Sequence, residues 1–350
     1  MTRKSPPPGH AAGSRSAALL ALALAALVPV PARALDAERE DVTAFITDMS
    51  SRHGFDPAAL GTLLSRAESR KPILDAMARP AEKMLTWQEY RARFITERRI
   101  SRGVETYRDH TAALEKAAAS GVPAQVILGI VGVETFYGEN TGRHRVIDAL
   151  ATLAFDYPPR SEFFRGELEQ FLLMARDEAL DPLAPLGSYA GAMGIPQFMP
   201  TSFRRWAVDG DGDGHRDLWG DWPDVFASVA NYLREHGWQA GEPAMAAADV
   251  TGADLTGLDT SKPALTETVG SLQQRGIKFE TTLPADSPAM LVALSHPFGS
   301  EYRIGFANFY AITRYNRSPL YASAVNDLAA AIAAAQARFL PPDNDASFAE

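Results

Sequence analysis

The sequence predicts a mainly α protein of the α+β class, a helical body carrying one small β-containing module. Three observations predict it. Apolar residues recur at helical spacing through most of residues 35–240. Between residues 241 and 297, Gly, Thr, Pro and Asp become frequent. Short apolar runs such as Met290-Leu291-Val292-Ala293-Leu294 lie among them, the texture of strands and turns. Helical periodicity then returns over residues 306–315 and in an Ala-rich stretch over 322–339.

The 350 residues, 46% hydrophobic and 22% charged, suffice for one large core or two smaller ones. Residues 1–34 read as an export signal rather than as fold. Arg3, Lys4 and Arg15 make a positive start, residues 17–28 a short Ala/Leu-rich run, and Ala32-Arg33-Ala34 a small-x-small cleavage site. Leu35 is then the first mature residue. Twelve apolar residues are too few to span a bilayer comfortably, and no later stretch is long and apolar enough. The absence of cysteine excludes disulfides, thiol chemistry and an N-terminal lipid-anchored cysteine. A signal without disulfides points to a bacterial export product, soluble in the periplasm or secreted, with no membrane anchor. The leader holds four Lys/Arg and no Asp/Glu, so its removal takes the net charge from −9 to −13. An acidic chain without a basic run makes nucleic acid a poor partner.

Residues 35–120 form the predicted N-terminal α domain. Asp41, Val42, Phe45 and Ile46 open an amphipathic helix. Asp56 with Pro57 reads as an N-cap followed by a first-turn proline, leading into Leu60, Leu63 and Leu64. Trp87, Tyr90, Phe94 and Ile95 keep helical spacing, as do Val104 and Tyr107, with core packing the default role for the aromatics.

Residues 121–240 form the next unit. Pro123 suits a first turn, and Gly138 is a stop signal. Val126, Ile127, Ile130, Val131 and Val133 cover more than one face, so this helix belongs inside the domain. Glu134 follows Ile130 by four residues and Val126 by eight, and so points the same way. Burial raises a carboxyl's pKa, and one still protonated near neutrality can act as a general acid. The local sequence equally allows a helix-end Glu that swings to solvent or pairs with an Arg.

After a polar turn at 139–144, residues 146–155 read as a second buried helix with Asp148 as a charge or cap at its start, and 161–174 as a third. Residues 186–203 are uncharged and rich in Gly, Ala and Met. Ser188 and Gln197 are isolated polar groups there, either satisfied in the core or in contact with a ligand. Asp209, Asp211 and Asp213 occupy positions 1, 3 and 5 of a calcium loop, with Gly214 at position 6 and the His215 carbonyl at position 7. Position 12 is Gly220 rather than Glu, so the last ligand falls to Asp224 or Asp221 in a loop running from 209 to 224. The alternative is a solvated acidic turn. A helix follows over 225–236, then a β-containing domain over 241–300, a helical return over 301–340 and a frayed tail over 341–350.

Several motifs now stand together and in order: Gly132-Val133-Glu134-Thr135; Asp148-Ala149-Leu150-Ala151-Thr152-Leu153; Gly191-Ala192-Met193-Gly194 with Gln197-Phe198-Met199-Pro200; the Asp209 loop with Leu218-Trp219; Val229-Ala230-Asn231-Tyr232; and Ile312-Thr313-Arg314-Tyr315-Asn316. In combination they resemble the B-type family of lytic murein transglycosylases, over about residues 35–339. The resemblance implies a lysozyme-like helical core around Glu134, an added α domain, a small β domain and one structural Ca²⁺ in an EF-hand-like loop. It implies non-hydrolytic cleavage of the β-1,4 bond between N-acetylmuramic acid and N-acetylglucosamine in peptidoglycan, leaving a 1,6-anhydro ring. Glu134 matches the family's single catalytic carboxylate, acid first and base second. Ser188, Gln197, Tyr315 and Asn316 fall at sugar-contacting positions, and Tyr232, Tyr321 and Tyr90 at aromatic positions lining the groove. The expected partners are peptidoglycan glycan strands, with cell-wall synthesis or divisome proteins as candidates, and a monomer is expected. Many family members are lipoproteins, from which this cysteine-free chain departs. Phe136-Tyr137 stands where members often carry Arg-Trp or a similar pair.

Two other readings compete. A hydrolytic muramidase on the same core would need a second carboxylate to activate water. A calcium-stabilised, non-catalytic peptidoglycan-binding module would need no acid at all.

Overall fold

The computed structural model describes residues 33–78 and 85–339. Two-residue strands β1 (Arg33–Ala34) and β2 (Glu68–Ser69) pair antiparallel around helices α1 (Glu40–His53) and α2 (Pro57–Ser65). Asp56 caps α2 as its sequence suggests, its Oδ1 accepting the Ala59 N–H at 2.7 Å. Then come α3 (Lys71–Ala78), α4 (Trp87–Phe94), α5 (Glu97–Asp109) and α6 (Thr111–Ala118). A Thr86/Glu89 capping box starts α4.

Helix α7 (Ala124–Thr135) is the centre of the body, and every residue from Ile127 to Val133 is buried. It packs on α5, α6, α11 (Trp222–Glu235) and most extensively α14 (Pro319–Phe339). The contact with α14 is close because α7 presents glycines to it. A Cβ at Gly129 would lie 2.8 Å from the Val325 carbonyl oxygen, and one at Gly132 2.8 Å from Leu328 Cδ2. Between α7 and α11 run β3 (His144–Arg145), α8 (Val146–Asp156), α9 (Ser161–Asp177), β4 (Leu186–Gly187) and α10 (Pro200–Trp206). β3 pairs antiparallel with β4.

The β module is one antiparallel sheet. Its strands are β5 (Met245–Ala248), β6 (Glu267–Thr268), β7 (Pro288–His296) and β8 (Gly299–Gly305), in the order β5-β8-β7-β6, with α12 (Val269–Gln274) after β6. Side chains alternate across β7. Ala289 and Leu291 join a small core with Val269, Leu272, Ile277, Ile304 and Phe306. Met290, Val292 and Leu294 join the main core. The sheet is thereby fixed to the helical body by the strand that also centres it. Helix α13 (Ala307–Tyr315) leads from β8 into α14.

Of the expected export signal at residues 1–34, residues 1–32 lie outside the described residues, and so does the expected tail at 341–350. Other expectations need adjusting. Arg33 and Ala34, assigned to the leader from sequence, form β1, and Leu35 is buried with its N–H bonded to the Ala67 carbonyl at 2.8 Å. The sheet does not end at residue 300, because β8 pairs with both β5 and β7 as far as Gly305. Asp148 stands in the first turn of α8, as its position suggests, and is buried there. At 1% exposure it accepts hydrogen bonds from the Glu68 N–H (2.9 Å), Arg145 Nε (2.8 Å) and Arg70 Nη2 (3.3 Å), clamping the β2 segment to α8.

Candidate active site

The α7 helix brings Glu134 to its last turn and stops one residue later. The stop precedes the glycine expected to make it. Phe136 (φ +54°) and Tyr137 (φ +56°) both adopt left-handed backbone before Gly138. For bulky residues that conformation costs about 1–3 kcal/mol each, so the surroundings must hold it. The Arg98 and Arg99 guanidinium groups sit over the Phe136 ring at 4.7 and 4.8 Å. The Tyr137 ring fills a slot that exists because residue 132 has no side chain. Thr135 ties the helix end to the facing loop. Its hydroxyl donates to the Ile195 carbonyl (2.8 Å) and accepts the Gly138 N–H (3.0 Å).

Glu134 is half-buried between elements from distant parts of the chain. Tyr321, from α14, donates its hydroxyl to Glu134 Oε1 at 2.6 Å. Burial pushes the Glu134 carboxyl up to about 7, against the opposing pull of that hydrogen bond. Among the described residues no charged group adds to this shift. Tyr321 and Tyr315 have pKa values well above the ordinary range, first through burial and then through the nearby Glu134 charge. Both therefore remain hydrogen-bond donors at any working pH.

The other aromatics form one cluster beside this carboxyl. Tyr315 donates to the Pro196 carbonyl at 2.6 Å, and Tyr232 to the Arg314 carbonyl at 2.7 Å. Their ring centroids lie 4.7 Å apart, and each packs on Phe198. Tyr90, whose ring lies 4.9 Å from Phe94, is near enough to Tyr321 to raise its pKa further. Asn316 is exposed at the end of α13, placed at this lip through its neighbour Tyr315.

Ser188 and Gln197 line a separate cleft of about 470 Å³ with the 139–144 turn and Tyr189. The Ser188 hydroxyl accepts the Ala190 and Ala192 N–H groups at 3.3 and 3.0 Å, shaping its own loop. Gln197 donates its amide to the carbonyls of Gly194 (2.8 Å) and Thr141 (3.0 Å) from a left-handed backbone, φ +54°. Each side chain is thus structurally anchored and also faces the cleft. Sequence reasoning missed Thr135 and Tyr189. A β-branched hydroxyl beside the helix-end carboxylate was the available sign of the first.

Carboxylate oxygens of Asp209, Asp211 and Asp213 lie within 4.8 Å of one another. Asp209 accepts the N–H groups of Gly212 (2.6 Å) and Gly214 (2.8 Å), and these bonds hold its pKa below the usual range. Three convergent carboxylates on a turn held by backbone N–H groups suit a hard cation with oxygen ligands. The two candidates for the last ligand stand outside this cluster. Asp224, 2% exposed, accepts the Gly210 and Asp217 N–H groups, each at 2.6 Å, and so closes the loop. Asp221 caps α11 through the Asp224 N–H at 3.1 Å. His215 donates its N–H to Asp213 at 2.8 Å.

Among known proteins, residues 37–330 match the family described as Transglycosylase SLT domain. The chain is 42% identical over 302 residues to membrane-bound lytic murein transglycosylase B of Escherichia coli, covering 83% of this chain and 82% of that protein. It resembles the soluble lytic transglycosylase SltB1 from Pseudomonas aeruginosa with a TM-score of 0.80 and 46% identity, over 84% of this chain and 99% of that one. It also resembles the Escherichia coli lytic transglycosylase Slt35 in complex with calcium, with a TM-score of 0.79 and 41% identity, over 87% and 97% of the two chains. The helical body around α7 is accordingly the lysozyme-like core of that fold. By family match over most of its length, by identity and by structure, the chain belongs to the SLT-domain lytic transglycosylases.

Proposed function

We propose that Glu134 alone serves as acid and then base in the lytic cleavage of peptidoglycan, the activity this chain shares with its family. With Tyr321 donating to Oε1, the acidic proton of Glu134 sits on Oε2. It passes to the glycosidic oxygen as the bond from that oxygen to C1 of N-acetylmuramic acid breaks, and N-acetylglucosamine leaves with a free hydroxyl. Positive charge develops at C1 beside the newly formed carboxylate. Glu134 then takes the proton of the C6 hydroxyl as O6 attacks C1. The product carries a 1,6-anhydro ring, the carboxyl is protonated again, and no water is consumed.

The observation that carries this assignment is the buried carboxyl at about pKa 7 with a hydroxyl, rather than a second carboxylate, as its partner. A carboxyl that titrates near the working pH suits both proton transfers. A hydrolytic muramidase needs a second carboxylate to act as base or nucleophile, whereas the group hydrogen-bonded to Glu134 is the Tyr321 hydroxyl. Tyr321 supports the carboxylate form, while Tyr232, Tyr315 and Tyr90 offer faces to sugar C–H groups and Asn316 an amide at the lip. Ser188 and Gln197 hold the neighbouring sugar unit. The Asp209, Asp211 and Asp213 loop binds a structural calcium ion that the chemistry does not use.

Glycan strands of the bacterial wall are the substrate, which places the working enzyme in the periplasm. No described helix is long and apolar enough to cross a membrane. Mass spectrometry of digested sacculi tests the reading. Anhydro-muramic ends are expected, they vanish in Glu134→Gln, and reducing muramic ends in their place would overturn it. A Glu134→Gln chain that kept its full cellular role would instead mark a binding module.

A further inference from the structure

Helix α7 ends in a conformation that its own sequence does not favour. Its C-cap, Phe136, stands at φ +54° and ψ +51°, with its N–H bonded to the Val131 carbonyl. A bulky residue stays in that left-handed region only where its surroundings hold it. Phe136 is two residues from Glu134. Whatever holds it therefore also sets where the last turn of α7 stops and how the acid is presented. The group best placed to hold it is Arg99, whose guanidinium lies 4.8 Å from the centroid of the Phe136 ring and 5.1 Å from that of Phe94. Phe94 ends α4 and packs on Tyr90, their ring centroids 4.9 Å apart. One side chain thus joins the end of the Glu134 helix to the wall that carries Tyr90.

Both ends of Arg99 are tied. Its Nη1 donates to the Arg93 carbonyl at 2.5 Å, and its backbone N–H bonds to Thr96 Oγ1 at 3.2 Å. Arg98 also lies over Phe136, but its side chain is 77% exposed and engaged by Glu139 at 2.9 Å, which makes it a looser cover. Arg99 does nothing for the stability of its own helix. It is the third residue of α5, where the positive end of the helix dipole disfavours a cation. Burial opposes its charge, and its Nε is buried without a hydrogen-bond partner among the described residues. These costs are offset in the stack with Phe94 and Phe136. Among the described residues no charge contributes to the Glu134 shift, so Arg99 does not act on the carboxyl directly. Its influence runs through the Phe136 backbone.

We propose that Arg99 is a positioning residue for the cleavage reaction. Stacked between Phe94 and Phe136, it holds the left-handed C-cap of α7 and so fixes Glu134 against the wall that carries Tyr90. This role rests on the assignment of Glu134 as acid and then base. The test measures kcat and KM for release of anhydro-muropeptides from soluble glycan strands, well below the thermal midpoint of each variant. Arg99→Ala is expected to lower kcat roughly ten- to a hundredfold, the cost of a misplaced acid, with KM little changed. Arg99→Lys keeps the cation without the flat stacking face and should recover part of the loss. Phe136→Ala removes the ring but keeps the unfavourable backbone, so it should behave as Arg99→Ala does. Phe136→Gly removes both ring and strain and should keep most of the turnover. Adding Arg99→Ala to Phe136→Gly should then cost little more.

An equal loss of kcat from Arg99→Ala with and without Phe136→Gly overturns the proposal, because Arg99 would then not act through Phe136. So does a lowered thermal midpoint with full kcat, which leaves Arg99 a packing residue. If Arg99→Ala does not fold, the two Phe136 variants and Arg99→Lys decide. Equal turnover in Phe136→Ala and Phe136→Gly, or full turnover in Arg99→Lys, overturns the proposal as well. Glu134→Gln run alongside separates the two assignments. An inactive Glu134→Gln chain beside an unaffected Arg99→Ala chain sinks the positioning role alone. A fully active Glu134→Gln chain sinks the acid assignment and the positioning role with it.

Discussion

The Tyr321 hydroxyl donates to Glu134 Oε1 at 2.6 Å, and this bond opposes the burial that lifts the same carboxyl to about pKa 7. Two effects of opposite sign thus set one proton affinity. Tyr321→Phe removes the lowering effect, so the Glu134 pKa should rise further. The alkaline limb of kcat/KM, on which Glu134 loses its proton, should then move to higher pH. The carboxylate formed after proton donation also loses its partner. A hydrogen bond to a charged group contributes about 1.5–3 kcal/mol, so kcat at acidic pH should fall roughly ten- to a hundredfold. A pH–rate profile checks both. An alkaline limb that stays in place or moves to lower pH counts against this account.

Glu134 should also weaken the fold above acidic pH. Its folded pKa of about 7 lies above the ordinary value of 4.5. Below 4.5 both folded and unfolded chains hold the proton, and there is no penalty. Between 4.5 and 7 the unfolded chain releases it first, so stability falls as pH rises, and above 7 the loss is complete. Glu134→Gln should therefore be neutral near pH 4 and stabilising by up to about 3 kcal/mol near pH 8. Thermal midpoints at the two pH values decide it. Equal shifts at both would show that the carboxyl is not perturbed.

The sequence exposes those parts of the site that depend on local spacing. Helical periodicity places Glu134 on the apolar α7 helix, and alternation marks Asp209, Asp211 and Asp213. It does not disclose the partner of Glu134, because Tyr321 lies 187 residues away and reaches it only through the packing of α14 on α7. The two-residue ladder joining β3 and β4 is equally silent, since a pair that short has no period of its own. Asp148 reads as a helix-start charge from its neighbours, whereas its burial depends on Glu68, Arg70 and Arg145. The left-handed Phe136 and Tyr137 run against local preference, and only tertiary contacts with Arg98, Arg99 and Gly132 sustain them. The hydrogen bonds of Asp224 are hidden from the sequence for a related reason. Asp224 suits the loop by composition but turns inward to bind Gly210 and Asp217.

Calcium should act on stability rather than on product. Without a cation, the three clustered carboxylates of Asp209, Asp211 and Asp213 repel one another. A ligand that binds only the folded state at a hundredfold excess over its Kd adds about 2.7 kcal/mol. Adding calcium to chelated protein should raise the thermal midpoint, and Asp211→Asn with Asp213→Asn should remove most of that response. The residual cleavage product should stay anhydro-ended. A midpoint insensitive to chelator would remove the metal assignment.

Thr135 couples the end of the Glu134 helix to the loop that carries Gln197. Its hydroxyl is buried, donating to the Ile195 carbonyl and accepting the Gly138 N–H. The next carbonyl along that loop, at Pro196, accepts the Tyr315 hydroxyl. Thr135→Val keeps the shape and removes both bonds. Each buried group left unpaired costs about 1–3 kcal/mol, so the thermal midpoint should fall. The helix end and the Gln197 loop should also lose their fixed spacing. Misplacement of substrate against the acid lowers kcat, so kcat should fall more than KM rises. Thr135→Ser keeps the hydroxyl and should recover most of the turnover. If valine lowers the midpoint but leaves kcat intact, Thr135 is a packing residue and does not position Glu134.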